Sequence, residues 1–300
     1  MDFAAHAHLW ILFSLLSAFF HASRLAVTKH LSLSLSARAL TLYVNLASLL
    51  VTLPLTIWYR QFPLDDPVYL GAVLLGGLLS GLGGWSLNIA IKRSEISLVG
   101  PILTLTPAFV IILEWLLTDA LPGPLGFAGI GLLIIGSYVL ALSGGEQDWQ
   151  QPLLRLFTNP GSAFTLMATG CFAAASTLGR IGIERSDPLS FAVVVAVVNP
   201  IVLFTLFSLQ DRRFYREVLP PDLARQTKPL LLLGLLFALM RIADQIALSL
   251  TLASYAMAVK RAAGMFSVLI GRWFFAEGGT RTKLLGSAIL LLGLFVLTQL

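Results

Sequence analysis

Two cations stand side by side in an apolar stretch near the C-terminus. Lys260 and Arg261 lie within residues 255–271, which read YAMAVKRAAGMFSVLIG. An ionisable side chain near the centre of a bilayer costs about 2.5–3.5 kcal/mol, so a pair is expensive unless water or an anion compensates it. Lysine offers a compact charge and arginine a planar fork of donors, and both suit phosphate or carboxylate. The pair therefore predicts a cavity that binds an anionic group. The alternative is a snorkelling or salt-bridged pair with a structural role only.

Other charged residues also lie within apolar stretches. Arg241 and Asp244 are three residues apart on one predicted helix, and we expect them to neutralise each other. Glu114 is a candidate for a proton-coupling carboxylate or for an interfacial residue. His21 and Arg24 are candidates for the lining of the same cavity.

Two prolines interrupt another apolar stretch. Pro101 and Pro107 are six residues apart, and each removes a backbone N–H donor from the helix that contains it. We predict a kink there and hypothesise that it serves as a gating point. Prolines are also common in membrane helices without such a role.

Motifs for catalysis and for metal or cofactor binding are missing from the sequence. The four histidines form no HExxH pair, and no G-x-S-x-G elbow, P-loop or carboxylate pair is present. The single cysteine, Cys171, has no partner for a disulfide. We therefore expect no metal site and no cofactor, and a protein that is not an enzyme.

The composition predicts that a membrane surrounds these residues. Hydrophobic residues make up 57% of the 300 residues and charged residues only 12%, whereas soluble domains have about 25% charged residues. Apolar runs of about 20 residues, long enough to cross about 30 Å of hydrocarbon, recur along the chain. We predict an all-α integral membrane protein with ten spans, at 9–30, 38–59, 68–91, 96–117, 124–143, 162–183, 189–209, 229–252, 254–275 and 283–299.

The loops differ strongly in their content of lysine and arginine. Twelve cations lie at the loops after the odd-numbered spans: Lys29, Arg38, Lys92, Arg93, Arg155, Arg212, Arg213, Arg216, Arg225, Lys228, Arg281 and Lys283. The other loops hold only Arg60 and Arg185. By the positive-inside rule the first set is cytoplasmic, which places both termini outside. The net charge of +5 thus reflects orientation, and no nucleic-acid partner is expected.

An internal repeat relates the two halves of the chain. An offset of 157 residues pairs Pro107 with Gly264, Ser97 with Ser254, Phe109 with Phe266, Gly129 with Gly286, Gly136 with Gly293 and Leu140 with Leu297. Because five spans is an odd number, the second half must be inverted relative to the first. We predict a first five-helix repeat at 1–143, a linker loop at 144–161 and a second five-helix repeat at 162–300.

These passages resemble the two halves of the EamA-type proteins of the drug/metabolite transporter superfamily. The resemblance covers nearly the whole chain. Its marks are a fourth helix with Ser, Gly and Pro, an acidic residue that closes the ninth (Glu277), and Gly-rich fifth and tenth helices. It implies a ten-helix transporter fold. Members are usually drawn with cytoplasmic termini, whereas the loop charges here predict the opposite.

The run AVKRAAGMFSVLI also resembles the ninth-helix motif of the plastid triose-phosphate/phosphate translocators. That resemblance implies that Lys260 and Arg261 bind the phosphate of a substrate. A further basic residue on the sixth helix assists in those proteins, and Arg180 is its counterpart here by position.

Together these patterns predict a secondary transporter that moves a small anionic or phosphorylated metabolite by alternating access. We expect a multi-pass protein of the bacterial inner membrane, monomeric or homodimeric, with the lipid bilayer and a small-molecule substrate as partners. One alternative is an exporter of amino acids or other neutral metabolites. Another is an intramembrane enzyme that acts on a lipid phosphate.

Overall fold

The described part of the chain folds into a bundle of helices. The structure is a computed structural model, and it describes residues 8–57, 62–93, 99, 102–142, 160–218, 223–266 and 281–299. The main helices are α1 (Leu9–Leu31), α2 (Ala37–Thr52), α3 (Pro67–Arg93), α4 (Thr106–Thr118), α5 (Pro124–Leu142), α6 (Pro160–Glu184), α7 (Pro188–Gln210), α8 (Leu223–Leu250), α9 (Ala253–Lys260) and α10 (Arg281–Leu297). A 3-10 turn (Leu53–Ile57) extends α2, and a short helix (Phe214–Val218) follows α7.

Local signals in the sequence explain several helix ends. α3, α5, α6 and α7 each begin with a proline, a residue whose missing N–H costs nothing in the first turn. The Asp187 carboxylate caps α7 by accepting from the backbone N–H groups of Leu189 and Ser190. Asp119, with a φ of 52°, ends α4 in the left-handed conformation.

The lengths and exposed faces of the helices suit a bilayer. Six of the described helices, α1, α2, α3, α6, α7 and α8, are long and apolar enough to cross a membrane, and α4, α5 and α10 are shorter apolar helices. Large apolar side chains such as Ile112, Leu116 and Leu291 are exposed, as expected for contact with lipid. The predicted all-α, multi-pass membrane class is confirmed.

Two predicted spans are interrupted at matching points. A turn at Thr104 and Leu105 precedes α4, and Pro107 lies in the first turn of that helix, so the predicted span is interrupted between its two prolines, and the kink itself stays a prediction. The predicted span at 254–275 is interrupted as well, because α9 ends at Lys260 and a turn follows at residues 261–262; residues 267–275 of that span lie outside the described residues. The two turns are 157 residues apart, which is the offset of the sequence repeat.

The closest packing joins helices from different halves of the chain. α3 packs against α6, α1 against α8 and α5 against α10. α5 and α10 run antiparallel and meet at glycines: a Cβ on Gly136 would lie 2.7 Å from the backbone N of Leu290, and one on Gly286 would lie 2.8 Å from that of Leu140. Such packing of each half against the other is expected for an inverted repeat. The boundaries 1–143 and 162–300 remain a prediction, and the linker at 144–161 lies outside the described residues except for its last two.

Ion pairs join loops at each end of the bundle. At one end, Arg38 pairs with Glu217 and, at 3.5 Å, with Asp211. At the other end, Arg185 pairs with Asp66 at 3.0 Å. Residues between α1 and α2 thus meet residues between α7 and α8 at one end, and residues between α2 and α3 meet residues between α6 and α7 at the other. This is the arrangement expected when successive helices cross the membrane in opposite directions. The orientation of the bundle in the membrane stays a prediction.

Candidate functional site

A polar cavity of about 120 Å³ lies among α1, α2, α3, α6, α7, α8 and α9. It has room for several water molecules or a small solute. Its charged or titratable lining residues are His21, Arg24, Arg241, Asp244, Lys260 and Arg261. The structure thus brings together the predicted pair with both candidates from the first helix.

Lys260 and Asp244 form the central ion pair of this cavity. Lys260 Nζ lies 2.5 Å from Asp244 Oδ2, and the Ser17 hydroxyl donates to Asp244 Oδ1 at 2.5 Å. Lys260 is buried and ends α9. The prediction that Asp244 and Arg241 neutralise each other is wrong, since Asp244 binds α9 and α1 instead.

Arg241 faces the two asparagines where α2 meets α7. Its Nη2 lies 3.5 Å from Asn45 Oδ1. With the Asn199 amide turned so that its oxygen faces the guanidinium, that oxygen accepts from Nη2 at 3.0 Å. The guanidinium carbons of Arg24 and Arg241 each lie 4.9 Å from the centre of the Phe237 ring, a cation–π distance.

Arg261 connects the two helix interruptions. Its Nη1 donates to the backbone carbonyl of Leu103 at 3.0 Å, beside the turn that precedes α4. In return, the Ser137 hydroxyl donates to the backbone carbonyl of Arg261 at 3.3 Å. Carbonyls freed where a membrane helix breaks need such partners, because lipid offers none.

The charges around the cavity do not balance. Among the described lining residues, four cations (Arg24, Arg241, Lys260 and Arg261) face one carboxylate, that of Asp244. Three buried guanidinium nitrogens lack a hydrogen-bond partner among the described residues: Arg24 Nε, Arg241 Nη1 and Arg261 Nε. Each buried donor left unpaired costs about 1–3 kcal/mol. This arrangement favours a bound anion.

Arg180 and Glu114 lie apart from these cations. Arg180 Nη1 donates to the backbone carbonyl of Thr251 at 2.9 Å and lies 3.5 Å from Glu114, and Arg180 Nε lies 3.0 Å from Glu184. Arg180 is not among the described residues that line the cavity. Its predicted contact with a substrate therefore remains a prediction without geometric support.

Glu114 is completely buried and caps the N-terminus of α9. Its carboxylate accepts from the backbone N–H groups of Ala253 at 2.6 Å and Ser254 at 3.0 Å. The residue at the cap position, Leu252, has no side-chain oxygen for this task. A coupling role for Glu114 and a gating role for Pro107 remain predictions, and Pro101 lies outside the described residues.

A cluster of buried apolar residues borders the cavity on the side of the Asp66–Arg185 ion pair. It includes Tyr69, Phe191 and Met257, contributed by α3, α7 and α9. The rings of Tyr69 and Phe191 meet edge to face with their centres 6.1 Å apart. Phe191 and Met257 belong both to this cluster and to the lining of the cavity. The described residues contain no group of three or more side chains that could hold a metal ion.

The comparisons with known proteins fit this geometry. Residues 8–142 match the EamA-like transporter family. That family comprises transporters rather than enzymes, so the EamA-like match supports a membrane transporter of small molecules and argues against the enzyme alternative. No curated protein matches the chain. One solved crystal structure resembles it with a TM-score of 0.71 and 16% sequence identity, over 97% of this chain and 96% of its own, a likeness of fold.

Sequence reasoning missed Ser17, the α1 residue whose hydroxyl donates to Asp244. A usable signal was present, because polar residues recur at spacings of three and four along α1: Ser14, Ser17, His21, Arg24 and Thr28. Such spacing puts them on one helix face. Apart from Arg24, which is half-buried, all are buried. A polar stripe on an otherwise apolar membrane helix is typical of a cavity lining.

Proposed function

We propose that the protein is a secondary transporter of a small anionic metabolite that carries a phosphate or carboxylate group. The observation that supports this most is the excess of cations at the cavity, together with three guanidinium nitrogens that have no hydrogen-bond partner within the described ranges. Lys260, Arg261, Arg24 and Arg241 bind the anionic group in this proposal. An anion would supply acceptors to the free nitrogens and would offset charge that the single carboxylate leaves uncompensated.

The chemistry of the four cations fits a group with several oxygens. A guanidinium donates through two parallel N–H groups to phosphate or carboxylate, and an ammonium adds a compact charge. Arg24 and Arg241 in this role replace Arg180, whose described contacts are with Glu114, Glu184 and Thr251. The apolar lining residues, Phe172, Phe191 and Phe237 among them, would contact the rest of the metabolite.

We propose transport by alternating access, and the buried apolar cluster around Tyr69 and Phe191 beside the cavity supports this. In this proposal a solute would pass that side of the cavity only after the cluster separates. In inverted-repeat transporters one bundle rocks against the other around a central site. The sequence has no ATP-binding motif, so uphill transport would use an ion gradient or exchange. We place the protein in the bacterial inner membrane.

A transporter of amino acids is the second candidate, and Asp244 is the observation that favours it. A zwitterion could place its ammonium group at Asp244 and its carboxylate at Arg261, both of which line the cavity. This mode would require Asp244 to leave Lys260, with which it is paired at 2.5 Å.

Binding to purified protein tests the proposal. We expect inorganic phosphate to raise the melting temperature more than the zwitterion alanine does. Lys260→Gln and Arg261→Gln should each weaken phosphate binding about 10- to 150-fold, because each removes a charge-assisted contact worth about 1.5–3 kcal/mol. Arg185→Gln is the matched control, since Arg185 is an exposed cation in an ion pair with Asp66.

Two results would contradict the proposal. One is stabilisation by alanine but not by phosphate, which would support the amino-acid alternative. The other is unchanged phosphate affinity in both cavity variants, which would leave Lys260 and Arg261 with a structural role only.

A further inference from the structure

We propose that Asp244 is a proton-controlled competitor of the substrate anion, so that anion binding at Lys260 requires uptake of a proton by Asp244. This inference rests on the proposed function and concerns how the same site is driven. Both oxygens of Asp244 are engaged, one by Lys260 Nζ and the other by the Ser17 hydroxyl, each at 2.5 Å. The ammonium group best placed to bind a substrate is therefore already occupied by a carboxylate of the protein.

In the part of the chain that the structure describes, every other charged or titratable side chain that lines the cavity with Asp244 is basic. α1 contributes His21 and Arg24, α8 contributes Arg241, and α9 contributes Lys260 and Arg261. An incoming anion would share the Lys260 ammonium with the Asp244 carboxylate. Like charges only a few ångströms apart in a desolvated site repel strongly, and one of them then takes up a proton.

The proton step balances in charge. A proton from cavity water binds Asp244 Oδ2, which neutralises the carboxylate and releases Lys260 Nζ. Lys260 keeps its three protons and donates to the anion that enters. Addition of one proton and one monoanion leaves the charge of the cavity unchanged, and the protonated Asp244 no longer competes with the anion for Lys260 Nζ. Substrate and proton would thus move together.

The task falls to Asp244 because both of its partners are side chains. The donors to Asp244 belong to the Lys260 and Ser17 side chains, which can turn toward a new acceptor. Asp244 also lines the cavity, where water can deliver the proton.

The test is isothermal titration calorimetry of purified protein with inorganic phosphate, in buffers that differ in ionisation enthalpy. The variant is Asp244→Asn, and Asp244→Glu is the control that keeps a carboxylate. We expect the native protein to take up about one proton more per phosphate bound than Asp244→Asn does. The comparison of the two proteins cancels the ionisation of phosphate itself. Asp244→Glu should retain the extra proton.

The pH profile gives a second readout. Relative to Asp244→Asn, the phosphate affinity of the native protein should fall by up to about tenfold per pH unit as the pH rises, which is the slope for one linked proton. At pH 8 the variant should bind phosphate at least about tenfold more tightly than the native protein. Equal proton uptake and parallel pH profiles in the two proteins would overturn the inference and leave the proposed function intact.

Failure of both proteins to bind any anion would overturn the proposed function and this inference with it.

If Asp244→Asn cannot be purified, Ser17→Ala replaces it, because that variant removes one donor that favours the charged form of the Asp244 carboxylate. The pH profile for phosphate binding should then move to higher pH, and an unmoved profile would count against the inference.

Discussion

Asp244 and Glu114 are both carboxylates in apolar helices, and they differ in the kind of donor that each one accepts from. Asp244 accepts from the side chains of Lys260 and Ser17. Glu114 accepts from the backbone N–H groups of Ala253 and Ser254 in the first turn of α9. A side chain can change its partner by rotating, whereas a backbone donor at a helix start moves only with its helix.

This difference separates a structural carboxylate from a replaceable one. Glu114 is completely buried and stabilises the positive end of the α9 dipole, so its loss removes support from the helix that ends at Lys260. Asp244 occupies a place that an anion in solution could take. Depth in the membrane therefore does not by itself identify a functional charge.

The largest expected effect is on stability, from Glu114→Gln. The amide can accept from one of the two backbone N–H groups but presents its own donors to the other, so we expect a loss of about 3 kcal/mol in the free energy of unfolding. Thermal unfolding in detergent measures it. Added phosphate should not restore the melting temperature, because the damaged contact lies outside the cavity.

Asp244→Asn is the comparison for that experiment. Its melting temperature should also fall, because four cations then lack a counter-charge, but phosphate should restore it. Two results would contradict the distinction between the carboxylates. One is that phosphate restores the melting temperature of Glu114→Gln, and the other is that phosphate fails to restore that of Asp244→Asn.

A smaller effect is expected from Arg180→Gln. This variant loses the contacts with Thr251 and Glu114 at the start of α9, worth about 1 kcal/mol in total after partial replacement by the glutamine amide. Phosphate affinity, measured by calorimetry, should change less than about twofold. A loss of affinity as large as that of Lys260→Gln would restore the sequence-based prediction that Arg180 binds the substrate.

The smallest effect concerns a third carboxylate, Asp66, in the loop before α3. The backbone N–H of Val68 donates to it, as does Arg185, and these donors hold the pKa of Asp66 below its usual range. The stabilisation from a lowered carboxylate pKa is present above the unfolded pKa of about 3.9 and is lost as the pH falls through the lower folded value. Asp66→Asn should therefore flatten a slight decline in melting temperature below about pH 4. If the melting temperature of Asp66→Asn declines below pH 4 as much as that of the native protein, other carboxylates cause the decline.

The sequence predicted most of the helices because their signals are local. The span predicted at 9–30 is α1, Leu9–Leu31, and the span predicted at 189–209 is α7, which begins with Pro188 after the cap formed by Asp187. The end of α9 at Lys260 could not be predicted from apolarity, since the residues on both sides of it are apolar. The sequence repeat gave the only indication: the offset of 157 residues pairs Arg261 with Thr104, which lies between Pro101 and Pro107 in the first half.

The site was predictable in its cations but not in their pairing. Lys260 and Arg261 stood out because charge is rare in an apolar helix. Spacing of three residues on one helix indicated that Arg241 would neutralise Asp244, but such spacing says nothing about partners on other helices. Asn45 is 196 residues from Arg241 in sequence, and contact at that separation depends on how α2 and α8 pack.

The exchange of packing partners between the halves also bears on the order of assembly. During synthesis α1, α3 and α5 are complete before α8, α6 and α10, the helices they pack against most closely. Until those arrive, faces such as the one around Gly136 meet lipid or each other. Residues 8–142, which match the EamA-like transporter family, therefore have none of these three packing partners until the second half of the chain is inserted.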